Sequence, residues 1–147
     1  MAKKVFDINP FTGKKDKPYQ VEGKKVDVKY VYLNEPGIPK NTYVISSKGE
    51  VWKKAKDRNG EDVVEKLKIT ILKTGYRVFY IRDTTGDRLK LLCHRYVAKY
   101  FVKQTKDDIK NERFIVVFKD GKKARIVPEN LVWTSRAEVM NEWVHKK

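Results

Sequence analysis

Two histidines, His94 and His145, and one cysteine, Cys93, are the side chains of this 147-residue chain whose ordinary titration lies closest to neutral pH, which suits them to act as base, nucleophile or metal ligand. Cys93 and His94 are neighbours, and a thiol beside an imidazole is the composition of a nucleophilic dyad. Their place at the end of an apolar strand argues against one, because adjacent side chains on a strand project to opposite faces. Cys93 is therefore read as a buried structural thiol and His145 as an exposed side chain. Asp107 and Asp108 form a carboxylate pair, but within a charged loop they are read as solvated. The chain has no Gly-rich phosphate loop, no Gly-x-Ser-x-Gly and no His-x-x-x-His pair. One thiol excludes an internal disulfide and a Cys-based zinc cluster, and points to a reducing compartment.

The elements that would position these residues are mostly short strands. Residues 1–27 are basic and turn-rich, with Asn9-Pro10, Thr12-Gly13, Lys17-Pro18 and Glu22-Gly23 breaking any period. They read as an extended arm, either tracking a phosphate backbone or a partner's surface, or without a role. From Val26 the texture changes: Val26, Val28, Tyr30 and Tyr32 alternate with Asp27, Lys29 and Val31, a period of two that signals a strand. Tyr43-Val44-Ile45 and Glu50–Lys54 form a hairpin around Ser46–Gly49, and Asn59-Gly60 is a strong turn signal. Val63–Leu72 is ambiguous, with Ile69-Thr70-Ile71 favouring strand. Tyr76–Arg82 and Arg88–Cys93 flank a turn at Asp83–Asp87. Val97, Tyr100 and Phe101 then fall on one helical face over His94–Lys103. A charged loop at Lys103–Glu112 leads to a strand at Arg113–Lys119, a turn at Asp120-Gly121 and a returning strand at Lys122–Val127. Ser135-Arg136-Ala137-Glu138 has the pattern of a capping box, opening a helix from about Arg136 to Val144.

Thirty-four Lys and Arg against 19 Asp and Glu leave a formal charge of +15. Charge of that size speaks of partners rather than fold, and polyanions are the natural ones, although a generally solvated basic surface or an acidic protein partner would also fit. With 40% hydrophobic and 12% aromatic residues the chain is too rich for a disordered basic tail. It is long enough to bury one core. No apolar run approaches the roughly 20 residues of a membrane span, and the Met-Ala-Lys-Lys start lacks the apolar region of a signal peptide.

Three segments carry a further resemblance. Cys93–Val102 contains His94-Arg95-Tyr96-Val97-Ala98, residues 117–123 contain Asp120-Gly121, and residues 128–135 contain Asn130-Leu131-Val132-Trp133. In that order and spacing they resemble the HNH homing endonucleases of bacteriophages. Those nucleases read roughly His-Arg-x-Val-Ala, then Asp/Asn-His-x-Asp-Gly, then Asn-Leu-x-Trp. Upstream, Thr42–Trp52 is similar to the Tyr-x-Val-Ser-x-x-Gly-x-Val segment of a DNA-binding region that precedes the nuclease module. Gly75–Val78 and Leu89–Arg95 match the strand pair that enters the core. The similarity covers about residues 36–139.

The resemblance implies an α+β fold. A basic extended arm at 1–27 would precede a β-hairpin-rich, DNA-binding-like region at 28–92. A degenerate ββα-metal (HNH-like) core with a C-terminal helix would occupy 93–147. It also implies that the chemistry is lost. The family's general base and its metal-binding neighbour fall at Phe118 and Val117, and the last helix's metal ligand at Val139. Asn141, two residues on, lies roughly 200° around a helix from that place. Metal-assisted hydrolysis needs a base, an ion and ligands that fix it, and these positions supply none. His94, Asp120, Asn130 and Trp133 are implied as scaffold. No cofactor and no metal is expected.

Binding remains. Lys48, Lys53, Lys54, Lys56 and Arg58, then Arg77, Arg82, Arg88 and Lys90, then Arg95, Lys122, Lys123 and Arg125 are the expected nucleic-acid contacts, because Lys and Arg on strands and hairpins meet phosphates well. Trp52, Tyr76, Tyr80 and Trp133 sit among them, with Trp52 and Trp133 read as packing residues. The expected partner is nucleic acid, duplex DNA before RNA, without cleavage. Two other classes stay open: a structural or protein-interaction component of a virion or host-directed complex, using the N-terminal arm, and a metal-dependent endonuclease with a relocated site. The expected location is the cytoplasm of a bacterial host, with packaging in a virion open, and no membrane association.

Overall fold

Residues 4–145 are described by the computed structural model, with side chains as far as Met140. The chain builds four antiparallel sheets and three α-helices among these residues. Expectations for the side chains of Asn141 and His145 lie outside the described residues.

The first unit is a hairpin of β1 (Tyr19–Val21) and β2 (Lys24–Val26). A four-stranded sheet follows in the order β3 (Tyr30–Tyr32), β4 (Tyr43–Ser46), β5 (Val51–Lys56), β6 (Asp62–Lys66). Gly60, at a φ of 79°, turns β5 into β6, and Asp57 Oδ1 accepts the amides of Asn59 and Glu61 at 2.8 and 2.9 Å. The ambiguous segment at 63–72 divides between β6 and β7 (Thr70–Ile71), and β7 pairs with the hairpin of β8 (Arg77–Arg82) and β9 (Arg88–Leu92).

Within residues 1–27, expected as an extended arm, Phe6, Phe11 and Tyr19 instead pack onto the four-stranded sheet. All four residues of β4 are buried, so the sheet is covered on both faces. One face gives Tyr43, Ile45 and Val51 to the main core. The other gives Val44 and Trp52, and Phe6, Phe11 and Tyr19 close over these. Phe6 exchanges backbone hydrogen bonds with Tyr30 at 2.7 and 2.9 Å, and buried Asn9 caps its own turn by accepting the Phe11 amide at 2.9 Å. Turn residues hide a pattern that the sheet's uncovered apolar face imposes from outside the segment.

Helix α1 (Cys93–Phe101) starts directly at the end of β9. Cys93 and His94 therefore share a helical first turn, not a strand, and both are buried. The expected loop at 103–112 contains a short helix, α2 (Lys106–Lys110), capped reciprocally by Thr105 and Asp108. Nor are Asp107 and Asp108 merely solvated, since Arg113 Nη1 pairs with them at 2.8 and 3.1 Å.

Strand β10 (Ile115–Phe118) pairs with β11 (Leu131–Thr134), not with the expected strand at 122–127. Residues 122–127 are irregular because side chains capture their backbone: Asp120 Oδ1 accepts the Lys122 amide at 2.8 Å and Asn130 Nδ2 donates to the Arg125 carbonyl at 2.9 Å. Helix α3 (Arg136–His145) follows β11, and its start is the expected box: Ser135 N donates to Glu138 Oε2 at 3.0 Å, and Glu138 N to Ser135 Oγ at 3.1 Å. One hydrophobic cluster runs through all of this, from Val31 and Ile45 through Phe79 and Val97 to Leu131.

Candidate nucleic-acid interface

Val117 and Phe118 occupy the last half of β10, facing Val132 and Leu131 across the hairpin. Phe118 packs against the main core and lies 5.1 Å from the His94 ring, tilted by 41°. Tyr76 stacks on His94 at 5.2 Å and 21°, and Lys123 Nζ sits 4.1 Å over Tyr76. The imidazole is 6% exposed, and its Nδ1 has no hydrogen-bond partner. Burial, reinforced by the charges of Arg95 and Lys123, holds the His94 pKa below its usual value. The ring is thus a neutral packing element. Burial pushes the Cys93 thiol up to about 12, far from a reactive thiolate.

Asn130 holds the loop between β10 and β11. Its Nδ2 donates to Asp120 Oδ1 at 3.0 Å, and its Oδ1 accepts the Asp120 amide at 3.2 Å. The Asn130 amide and the Lys122 backbone hold the Asp120 carboxyl below its ordinary pKa. Trp133 donates Nε1–H to the Val102 carbonyl at 3.1 Å, tying β11 to the end of α1. All three residues act in support of the hairpin. Against the same loop lies the β1–β2 hairpin: Tyr19 OH donates to Glu129 Oε1 at 2.5 Å, and Arg125 Nη2 to the Gln20 carbonyl at 3.1 Å.

The thirteen expected cationic residues do not form one patch. Cross-strand register puts Arg82 opposite Arg88 and Tyr80 opposite Lys90, so these four share one face of β8–β9. Arg88 lies 3.9 Å over the Tyr80 ring, and Arg82 donates to the Gly86 carbonyl at 3.0 Å. A shallow cavity of about 170 Å³ brings Lys53 and Glu65 beside them. Lys54 and Lys56, on the other face of β5, are paired with Asp62 at 3.3 and 2.6 Å. Arg77 alternates away from the Tyr80 face, and its Nε is buried without a partner. Lys48 and Arg58 stand exposed, outside the strands. Arg95 is exposed in the first turn of α1, while Lys123 is half-buried and donates to the Thr74 carbonyl at 2.6 Å. Lys122 is exposed in the loop. Sequence reading missed Lys119, which shares a shallow cavity with Asp120 and Arg125; its place after β10 gave no signal of that neighbourhood.

No family model and no curated protein matches the chain. Among solved structures the chain is similar to the HNH homing endonuclease I-HmuI, described as binding and cleaving DNA, with a TM-score of 0.54 and 24% identity over 73% of this chain and 54% of that one. The fold is HNH-like. The chain spans about half the length of that nuclease. Within the HNH-like fold, β10, β11 and α3 form the ββα arrangement, and the rest is a mixed α+β scaffold. Among the described residues no three His, Cys, Asp or Glu side chains are grouped to hold a metal ion. The positions where the sequence resemblance puts base and ligands carry Val117, Phe118 and Val139, and Phe118 is engaged in apolar packing. In this HNH-like fold those positions therefore carry apolar side chains in place of a base or a metal ligand. None of the described helices is long and apolar enough to cross a membrane.

Proposed function

We propose that this protein binds duplex nucleic acid, DNA in preference to RNA, and does not cut it. The observation that carries this reading is the contact between Phe118 and His94. An HNH-like hairpin keeps its turn and its supporting Asn130 network, but apolar packing fills the place of the base. The charge of +15 and the exposed Arg82, Arg88 and Lys90 supply phosphate contacts that need no metal. Arg95, Lys122 and Arg125 extend the same role to the core. We assign the binding region to 28–92, working with the HNH-like core at 93–147.

The test is a titration of full-length protein into labelled duplex DNA and duplex RNA at several salt concentrations, with and without magnesium, read also on a denaturing gel. Binding that weakens steeply with salt while the strands stay intact supports the reading. Metal-dependent nicks would revive the relocated nuclease site and overturn it.

One observation favours a second reading, a protein-interaction component of a virion or host-directed complex. Ile115 and Met140 are exposed, 40% and 55%, and line one cavity beside α3. A partner protein that covers them would protect them from solvent whether or not nucleic acid is bound.

A further inference from the structure

Between the outer side of α1 and the β10–β11 hairpin lies a cavity of about 720 Å³. Tyr96, Phe101, Phe114 and Trp133 are among the residues that line it, with the cations Arg95 and Lys103, while a third lining cation, Lys99, is paired with Glu35 at 2.7 Å. The hydrogen bond from Trp133 to the Val102 carbonyl fixes one wall, and Phe114, which also lines the cavity, is 55% exposed.

Resting on the nucleic-acid reading above, we propose that this cavity takes a single unstacked nucleotide. Its base would lie against the aromatic walls and its phosphate would meet Arg95 and Lys103. The combination selects this class of ligand. Every base offers a π-face to an aromatic wall, and cations beside that wall meet the attached phosphate. A paired base inside a duplex cannot enter a cavity, so only an extruded, bulged or terminal nucleotide reaches it. An apolar peptide would leave the cations unmatched, and a bare phosphate would leave the aromatic walls without a partner. The volume falls within the roughly 300–1,000 Å³ of ordinary small-ligand sites.

The test uses three probes with full-length protein: a short duplex with one unpaired 2-aminopurine, the same duplex fully paired, and adenosine 5′-monophosphate. The unpaired duplex is expected to bind about tenfold tighter than the paired one, with a change in 2-aminopurine fluorescence. Phe114→Ala and Lys103→Gln should each reduce that ratio towards one while leaving affinity for the paired duplex within about twofold. Phe114 is exposed enough that its removal leaves the fold intact. Equal affinity for both duplexes in the wild type, or an unchanged ratio in both variants, overturns the cavity assignment and leaves the duplex-binding reading standing. Saturable binding of the free nucleotide that Phe114→Ala abolishes, with no affinity for either duplex, supports the cavity and sinks the duplex reading. Failure to bind any of the three overturns both.

Discussion

His94 and Phe118 meet ring to ring, 5.1 Å apart, at the point where an HNH hairpin would carry its chemistry. The contact joins the start of α1 to the end of β10 and packs Phe118 against the main core. Phe118→Ala should cost about 2 kcal/mol, below the full range for a buried Phe because Phe118 is only partly buried. In a double-mutant cycle with His94→Ala, the pair should couple by about 1 kcal/mol. Phe118→His should leave DNA uncut in magnesium or manganese, because a second imidazole beside buried His94 brings no oxygen ligands, which these hard ions need. Nicking by that variant would show that a ligand set exists elsewhere.

Acid should weaken the fold through His94. Its folded pKa lies below the 6.5 of an ordinary imidazole, so in acid the unfolded chain binds a proton that the native state resists. Stability therefore rises with pH through this window, and is lost as pH falls from about 6.5 towards the folded value. The groups facing the ring set the direction: apolar Tyr76 and Phe118, and the cations Arg95 and Lys123. Urea denaturation of wild type and His94→Gln between about pH 8 and pH 5 isolates the effect, since other titrating groups are common to both. A difference that stays flat with pH would contradict it.

Asn130 should matter more than its small size implies. Asn130→Ala removes two bonds to Asp120 and one to the Arg125 carbonyl, at 3.0, 3.2 and 2.9 Å, at a buried position. A fall in stability of about 2–3 kcal/mol is expected from denaturant midpoints. Asn130→Asp should recover little, because a carboxylate cannot donate to either acceptor.

Gly49 links the upstream turn to the HNH-like loop. Its φ is +81°, and a Cβ there would lie 3.1 Å from Ile126 Cγ2. Gly49→Ala should therefore destabilise by about 1–2 kcal/mol through backbone strain alone, with crowding added. Thermal unfolding reads this directly. A neutral result would mean that the turn relaxes into another conformation.

Charge removal should discriminate between cations of equal formal charge. Arg88→Ala and Arg82→Ala should each lower duplex affinity and make the salt dependence shallower, by about 0.9 in slope for every phosphate left unneutralised. Lys54→Ala and Lys56→Ala should do less, because Asp62 already engages both. Equal effects at all four positions would make the binding a matter of net charge alone.

The α+β class, the hairpins at 43–56 and 77–92, the helix after Cys93 and the capping box at Ser135 were legible because each rests on a local pattern. Val117 and Phe118 were legible as strand residues. The path of residues 5–21 was not, because Phe6 and Phe11 form no periodic pattern and pack onto Tyr32, a residue distant in sequence. The partner of β10 was misread because Lys122–Val127 alternates well enough for a strand, while Asp120 and Asn130 capture the backbone groups that a ladder would need. Among the cations, type and spacing did not disclose that Lys54 and Lys56 point away from Arg88, or that Lys123 is held by Thr74.

The bonds from Tyr19 to Glu129 and from Arg125 to Gln20 span 110 and 105 residues of sequence. A ribosome making roughly 5–20 residues per second completes the β1–β2 segment several seconds before its docking surface exists. The aromatic lid over the four-stranded sheet can close early, since Phe6 needs only Tyr30, but the hairpin must wait for the loop after β10. Closing so long a loop is a contact of high sequence separation, the kind that slows folding.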